Sequence, residues 1–342
     1  MTSLRLRLRL ALALAVLWFA SVSAPAQSIS AWHGQRVVLM AQTPLMMGNK
    51  VLDDARIFRI YTVQGVKGDW LWLVSGSHRG WARSELVVTF DRAIDYYTHE
   101  LQNHPSSAFF YANRGSVWLE KHNHDKAIAD FSEALRLDPR DVAAHVNRGL
   151  AWTSKKHHDR ALADYDEALR LDPNRSDTYM NRGCTRGAMN QYDEALADFD
   201  RSIALDPKST EAFVNRGHAW RGKKNYEKAI ADYDTALRLD PDQATAHASL
   251  AWLRVFCPDP RYRDAPRAVE SATRACDLTG WKDPRSLDIL AASYALAGDF
   301  SRAVEWQQKA NALDSDPESR KKGVERLTYY QDKTSDHTEA ER

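Results

Sequence analysis

The chain has 342 residues, 44% hydrophobic and 10% aromatic, so it is long enough for two domains and apolar enough to fold. Its 47 Lys and Arg residues balance 46 Asp and Glu residues, and this charge gives no electrostatic reason to expect nucleic acid as a partner. The odd number of cysteines argues against a disulfide framework. We expect Cys184, Cys257 and Cys276 to be free and mostly buried.

The first 26 residues predict a secretory signal peptide. Three arginines precede position 10, an apolar run too short to cross a bilayer comfortably covers residues 10–20, and Ala24-Pro25-Ala26 matches a small-residue cleavage pattern. We therefore expect cleavage after Ala26, a periplasmic or secreted protein, and no transmembrane helix in the mature chain. An uncleaved anchor is the alternative.

Residues 31–90 alternate short β-branched and aromatic runs with turn signals, a pattern typical of an all-β domain. Such short, closely spaced strands suggest a small barrel. The expected strands are Arg36–Met40, Ile57–Val63, Trp70–Val74, Arg79–Ala82 and Leu86–Val88.

The stretch Gly68-Asp69-Trp70-Leu71-Trp72-Leu73-Val74, followed by Gly80-Trp81-Ala82, resembles bacterial SH3-like domains. The start departs from that family, because Thr43-Pro44-Leu45 stands where Asn-Val-Arg and Gly-Pro are usual. Alternation puts Trp70 and Trp72 on one face of their strand. In a small barrel that face is more often core, so we expect these tryptophans and Trp81 in the core, with an aromatic binding shelf as the alternative.

The triplet Asn-Arg-Gly occurs four times at a spacing of 34 residues, and each copy is followed at fixed distances by Ala, an aromatic residue and Pro. This pattern resembles the tetratricopeptide repeat (TPR) family and implies a mainly α fold, a solenoid of stacked helical hairpins. Gly and Ala let the two helices approach closely, the aromatic residue fills the space between neighbouring hairpins, and Pro ends the second helix.

The repeat phase predicts the division of the chain. A half-repeat helix covers residues 91–107, four regular repeats cover 108–243, two irregular repeats cover 244–317, and a helix with a disordered tail covers 318–342. Almost no linker separates the β domain from the half-repeat, so we expect the two to hold a fixed orientation.

The Asn of each triplet is the main candidate for binding. In tetratricopeptide solenoids this helix lines the concave groove, so the resemblance implies a ladder of amides, each able to donate to and accept from a peptide backbone. The alternative is that Asn simply faces water at this phase. The ladder is Asn113, Asn147, Asn181 and Asn215.

Neighbouring groove positions carry no Lys or Arg, which argues against a clamp for a C-terminal carboxylate. We expect an internal, apolar-rich segment of a partner protein or peptide as the ligand. These positions are Ala112, Val146, Met180, Val214, Ser116, Leu150, Cys184 and His218.

The Arg of each triplet is followed 16 residues later by Asp, which predicts an ion pair between the two helices of each hairpin. Two solvated faces that contribute little to stability are the alternative. The pairs are Arg114 with Asp130, Arg148 with Asp164, Arg182 with Asp198, and Arg216 with Asp232.

The sequence contains no Gly-rich phosphate loop, no His-Glu-x-x-His and no Gly-x-Ser-x-Gly, so we expect neither an enzyme nor a cofactor. His124 and His158 share a repeat phase with Tyr192 and Tyr226, so they replace an aromatic residue and predict no metal site. The sequence thus predicts an exported interaction scaffold. Cell-wall binding through the β domain, with the solenoid as a spacer, is the alternative.

Overall fold

The computed structural model describes residues 32–40, 45–47, 50–53, 60–75 and 78–340, and the signal-peptide prediction lies outside these residues. The chain divides into two compact units, residues 1–151 and 152–342. Within the described ranges, no helix combines the length and the apolar character needed to cross a bilayer.

The first unit begins with an antiparallel sheet in which the strand order is β3-β2-β6-β5-β4-β1-β7. Its seven strands correct the expected five. The two additional strands, β2 and β3, are only three and four residues long, too short for an alternating pattern to be visible in the sequence. The strands are β1 (Arg36–Leu39), β2 (Leu45–Met47), β3 (Lys50–Asp53), β4 (Ile60–Lys67), β5 (Trp70–Ser75), β6 (His78–Arg83) and β7 (Val87–Thr89).

The tryptophans of the sheet lie on its outer face, so the prediction that they form the core is wrong. Leu71 and Leu73 are fully buried, whereas Trp70 is 38% exposed. Trp72 and Trp81 are half-buried, with ring centroids 5.3 Å apart. Alternation correctly placed Trp70 and Trp72 on one face, but the thin interior of this small sheet takes the aliphatic side chains.

The sheet shares a core with the helix that follows it. Val38 of β1 packs with Phe90, Ala93 and Val117 in one buried cluster. The buried hydroxyl of Tyr97 donates to the carbonyl oxygen of Leu39 at 3.2 Å, and the neighbouring Tyr96 hydroxyl donates to that of Met40 at the same distance. This packing supports the expected fixed orientation of the sheet and the first helices.

Fourteen helices follow within the described residues, most of them paired into antiparallel hairpins. The first unit contains α1 (Ala93–Asn103), α2 (Ala108–Glu120), α3 (His124–Leu137) and most of α4 (Val142–Ser154). The second unit contains α5 (His158–Leu171), α6 (Ser176–Ala188), α7 (Tyr192–Leu205), α8 (Thr210–Gly222), α9 (Tyr226–Leu239), α10 (Ala244–Phe256), α11 (Ala265–Leu278), α12 (Pro284–Leu296), α13 (Phe300–Leu313) and α14 (Pro317–Ala340).

The triplet glycine makes room for the aromatic residue of its own hairpin. A Cβ at Gly115 would lie 3.0 Å from the ring of Phe131, and one at Gly217 would lie 2.5 Å from the ring of Tyr233. A Cβ at 2.5 Å cannot be accommodated without a shift of the ring. The aromatic side chain therefore packs within its hairpin onto bare backbone, and this contact is an additional reason for the glycine.

Each regular hairpin turns through a residue with left-handed backbone. The φ angles are 57° at His122, 62° at Lys156, 60° at Asn190 and 60° at Lys224. Residues with a Cβ are strained in this region, although Asn, Asp and His tolerate it better than other side chains. The turn geometry is thus the same in all four hairpins, although glycine occupies none of these positions.

The last helix is longer than expected. The sequence predicted a helix with a disordered tail over residues 318–342, the tail starting at Asp332, whereas α14 continues to Ala340. Residues 332–340 contain neither Gly nor Pro, so nothing in the local sequence stops the helix. The hydroxyl of Thr334 donates to the carbonyl oxygen of Tyr330 at 2.8 Å, within this extension.

Candidate functional site

Buried ion pairs join the two helices of three hairpins. Arg114 donates to both carboxylate oxygens of Asp130 at 2.8 Å. Equivalent contacts join Arg182 to Asp198 and Arg216 to Asp232, with shortest distances of 2.6 Å. The pair of Arg148 with Asp164 stays a prediction because its residues fall in different compact units.

The same arginines also reach a second helix, a contact that sequence reasoning missed. Each of the four triplet arginines donates through Nη1 to the residue 16 positions earlier, on the preceding helix. Arg114, Arg182 and Arg216 thereby join their own hairpin to that helix. The sequence did contain a signal for this contact, because each of the earlier positions carries a side chain that can accept a hydrogen bond: Thr, Ser, Asp and Asp. The contacts are Arg114 to Thr98 at 3.2 Å, Arg148 to Ser132 at 3.2 Å, Arg182 to Asp166 at 2.6 Å and Arg216 to Asp200 at 2.7 Å.

The four ladder asparagines are not equivalent. Asn113 is buried, and its side-chain nitrogen donates to the carbonyl oxygen of Phe109 at 2.7 Å. Asn147 donates to the hydroxyl of Ser116 at 3.4 Å. By contrast, the side-chain amides of Asn181 and Asn215 are half-buried and make no hydrogen bond with a described residue. Only these last two have both amide groups available to a ligand.

Several of the expected groove positions are buried. Val146 is 4% exposed and Val214 is 2% exposed, and Val214 packs in a cluster with Tyr233, so these valines are packing residues rather than groove residues. Ser116 is also buried, with its hydroxyl bonded to the carbonyl oxygen of Ala112. The half-buried positions are Ala112, Leu150, Met180 and His218.

The three cysteines are free. Cys257 and Cys276 are fully buried, whereas Cys184 is exposed, which corrects the expectation for that residue. The Cys184 thiol nevertheless lies in a concave wall, where desolvation raises its pKa to about 11. It is therefore an accessible but protonated thiol at neutral pH.

A pocket of about 560 Å³ opens around Asn215 in the second unit. Gly187 leaves part of it open, because a Cβ there would meet nothing within 4 Å, whereas a Cβ at Gly222 would lie 2.4 Å from the ring of Tyr192. The pocket lies among α6, α8 and α10, the first helices of three successive hairpins. Its lining is Cys184, Gly187, Tyr192, Phe199, Asn215, His218, Ala219, Arg221, Gly222, Lys224, Tyr226, Trp252, Phe256 and Pro258.

The pocket wall is aromatic and basic. The guanidinium of Arg221 lies 4.2 Å from the ring centroid of Trp252, and that ring is 5.4 Å from the ring of Phe256. Phe256 is 39% exposed. No carboxylate is among the lining residues, and Lys224 adds a second positive charge. The expectation that the groove carries no Lys or Arg therefore does not extend to this wall.

His218 forms part of the floor of this pocket in its neutral form. Its Nε2 lies 2.8 Å from the hydroxyl of Ser249, and its ring is 5.6 Å from that of Tyr233. Burial and then the positive charge of Arg221 lower the pKa of His218 to about 4. In the described part of the chain, no three His, Cys, Asp or Glu side chains converge as metal ligands would.

Comparison with known families finds a match over part of the helical region. The tetratricopeptide repeat model matches residues 89–142, 113–176 and 180–244. No curated protein matches the chain.

Solved structures share the fold of the chain at low identity. A tetratricopeptide repeat protein from Parabacteroides merdae is 16% identical with a TM-score of 0.55, over 71% of this chain and 92% of that one. Cut9-Hcn1 of the APC/C gives 17% identity and a TM-score of 0.60, over 70% of this chain and 46% of that one. PilW, a type IV pilus biogenesis factor, is 20% identical with a TM-score of 0.54, over 60% of this chain and 92% of that one. At these identities the likeness extends to the fold alone.

Proposed function

Since this chain carries tetratricopeptide repeats within residues 89–244, we propose that it is an exported, non-enzymatic scaffold that binds an extended segment of a partner protein. Repeats of this type serve as protein-interaction scaffolds, because stacked hairpins create a concave surface. The proposal assigns binding to the part of that surface formed by α6, α8 and α10.

The observation that carries the proposal is the state of Asn181 and Asn215. Each presents a carbonyl oxygen and an amino group without a described protein partner, on the first helix of its hairpin. An extended backbone offers one donor and one acceptor per residue, which a side-chain amide can satisfy together. Asn113 and Asn147 have a smaller part in this proposal, because their side-chain nitrogens already donate within the protein.

The test is binding of labelled 12-residue peptides from a random library to the full chain. The double variant Asn181→Ala with Asn215→Ala should lower the affinity for the bound peptides about tenfold, which is the effect of losing one to two net hydrogen bonds. The matched control is Asn174→Ala, which removes an exposed amide in a turn. Equal losses in both variants, or no bound peptide at all, would contradict the proposal.

Export is tested at the amino terminus. The proposal expects the chain recovered from envelope or medium fractions to begin at Gln27. A chain that keeps residues 1–26 in those fractions would instead support the anchor. A chain found only inside the cell would remove export from the proposal.

The outward tryptophans favour a second candidate function, cell-wall binding. Trp70 is exposed, with the guanidinium of Arg83 5.4 Å from its ring centroid, and the rings of Trp72 and Trp81 are neighbours on the sheet. Exposed aromatic faces suit stacking on other flat or apolar groups. Sedimentation of the full chain with purified peptidoglycan tests this function. Trp70→Ala with Trp81→Ala should abolish it, and equal sedimentation of the variant would rule out the sheet.

A further inference from the structure

The pocket around Asn215 has an uncompensated positive wall. The guanidinium of Arg221 makes no hydrogen bond or ion pair with a described residue, and neither does the side-chain amine of exposed Lys224. Two carboxylates that follow lining residues in the sequence are already paired. Asp193 binds Lys223, and Asp259 binds Arg261 at 2.6 Å.

The position of Arg221 is favourable for binding a carboxylate. Its guanidinium lies 4.2 Å from the ring centroid of Trp252, so one face is covered by the indole. The N–H groups of a guanidinium lie in its plane and form a fork that matches the two oxygens of a carboxylate. Contact with the ring restricts the side chain, and the edge of the fork remains available.

The rest of the pocket suits a large apolar side chain. Trp252, Phe256 and Tyr226 provide aromatic surface, and Phe256 is exposed although it is large and apolar. The space above Gly187 is open. Aromatic rings pack favourably against such walls.

We infer that this pocket binds an internal segment of the partner in which an aromatic residue is flanked by Asp or Glu. The aromatic side chain enters the space above Gly187, and the neighbouring carboxylate binds Arg221 and Lys224. Asn215 binds the backbone between them. This inference rests on the proposed function and names the chemistry of its ligand.

The hairpin two repeats earlier carries similar residues that lie outside the pocket. Lys156 has the same turn position as Lys224, and Arg160 lies 4.7 Å from the ring centroid of Trp152. Neither Lys156 nor Arg160 lines the pocket. The chain therefore offers a matched control with the same residue types and the same kind of ring contact.

The experiment measures fluorescence anisotropy of labelled peptides with amidated C-termini and identical Gly-Ser flanks, titrated with the full chain. The central triplets are Asp-Phe-Asp, Asn-Phe-Asn, Lys-Phe-Lys and Asp-Ala-Asp. We expect Asp-Phe-Asp to bind at least about tenfold more tightly than the other three, because each of the others lacks the charge or the ring.

Two variants locate this preference. Arg221→Gln with Lys224→Gly should reduce the preference for Asp-Phe-Asp over Asn-Phe-Asn to less than about twofold, since the neutral peptide does not use these charges. Gly187→Met should weaken binding of both Asp-Phe-Asp and Asn-Phe-Asn, because the new side chain occupies the pocket. Arg160→Gln with Lys156→Gly, the matched control, should leave all affinities unchanged.

The outcomes separate the inference from the function on which it rests. Equal binding of Asp-Phe-Asp and Asn-Phe-Asn overturns the inference and leaves groove binding intact. Equal losses in the pocket variant and the matched control also overturn the inference. One further peptide, the Asn-Phe-Asn sequence ending in a free carboxylate, is measured alongside. If it binds more tightly than amidated Asp-Phe-Asp, the positive wall recognises chain ends and the inference of an internal segment is overturned. Failure of every peptide to bind overturns the function as well.

Discussion

The first and fourth regular hairpins carry the same triplet, yet they use it differently. In the first, Asn113 is buried and bonded to its own helix, and Ser116 is closed against the same helix. In the fourth, Asn215 lies in the lining of a pocket with His218. The buried Arg–Asp pair is nearly the same in both. The repeat thus preserves a framework, while the residues between the framework positions decide whether a surface can bind.

The largest predicted effect tests whether the Arg–Asp pair stabilises the first and the fourth hairpin equally. Arg114→Leu and Arg216→Leu should each lower the free energy of unfolding by about 3 kcal/mol, because each leaves a buried Asp carboxylate without its partner. Urea denaturation of the full chain measures this loss. The control Arg136→Leu breaks the exposed pair with Glu133 and should cost less than about 1 kcal/mol.

Removal of both charges should restore much of this stability. Arg216→Leu with Asp232→Leu replaces the pair by apolar groups, which is often close to neutral in buried sites. A double variant as unstable as Arg216→Leu would mean that the arginine acts mainly through Asp200 of the preceding helix.

The contacts around the triplet glycines predict that Gly→Ala substitution lowers stability more in the fourth hairpin than in the first. Gly217→Ala should destabilise the chain by about 2 kcal/mol and Gly115→Ala by about 1 kcal/mol, because the new Cβ would lie 2.5 Å from Tyr233 in one case and 3.0 Å from Phe131 in the other. The same denaturation measures both. Gly187→Ala is the control, and its open surroundings predict a gain of about 0.5 kcal/mol. A reversed order would contradict the packing described for these rings.

The pH dependence of stability should distinguish the fourth hairpin from the first. His218 of the fourth hairpin can titrate, whereas Ser116, at the same repeat position of the first, cannot. Because the pKa of His218 is about 4 when folded and near 6.5 in an unfolded chain, the unfolded state binds an extra proton between these values. The contribution of His218 is complete above pH 6.5 and is lost as the pH falls towards 4.

The loss in free energy of unfolding is about 1–2 kcal/mol. It is smaller than the free energy that corresponds to the whole pKa difference, because the ring is only half-buried. Thermal melts between pH 4 and 7 measure it, with His218→Gln as the reference chain. If wild type and His218→Gln lose the same stability over this range, the histidine is not responsible.

The smallest effect concerns the strained turns, where the two hairpins should behave alike. His122→Gly and Lys224→Gly should each raise the free energy of unfolding by about 0.5 kcal/mol, since relief of left-handed strain slightly exceeds the added chain entropy of glycine. Differential scanning calorimetry can resolve this shift. Only Lys224→Gly should also weaken the acidic peptide, and a loss of stability in both variants would show that the turns are not strained.

The helical fold could be predicted from sequence because each framework position is seen four times at one spacing. Repetition also explains what was missed. The sixth residue after each Asn is Leu119, Thr153, Gly187 and Arg221, a series without a pattern. The pocket depends on the last two of these residues. A period identifies what the repeats share, whereas the pocket wall arises where they differ.

The β domain shows what sequence alone cannot predict when a pattern is not repeated. Its alternation correctly places Trp70 and Trp72 on one face, but a period of two cannot say which face is buried. That choice depends on the size of Leu71 and Leu73 relative to a thin interior. No second copy of the domain exists in the chain to reveal the preference.

The most direct test uses Cys184, which lies in the pocket while Cys257 and Cys276 are fully buried. Mass spectrometry can follow alkylation of this thiol by N-ethylmaleimide at pH 8 in the wild-type chain, with increasing Asp-Phe-Asp peptide. Peptide bound in the pocket should slow the reaction at Cys184, with half-protection at the Kd found by anisotropy. An unchanged rate at saturating peptide would place the peptide elsewhere and contradict the assignment of this pocket.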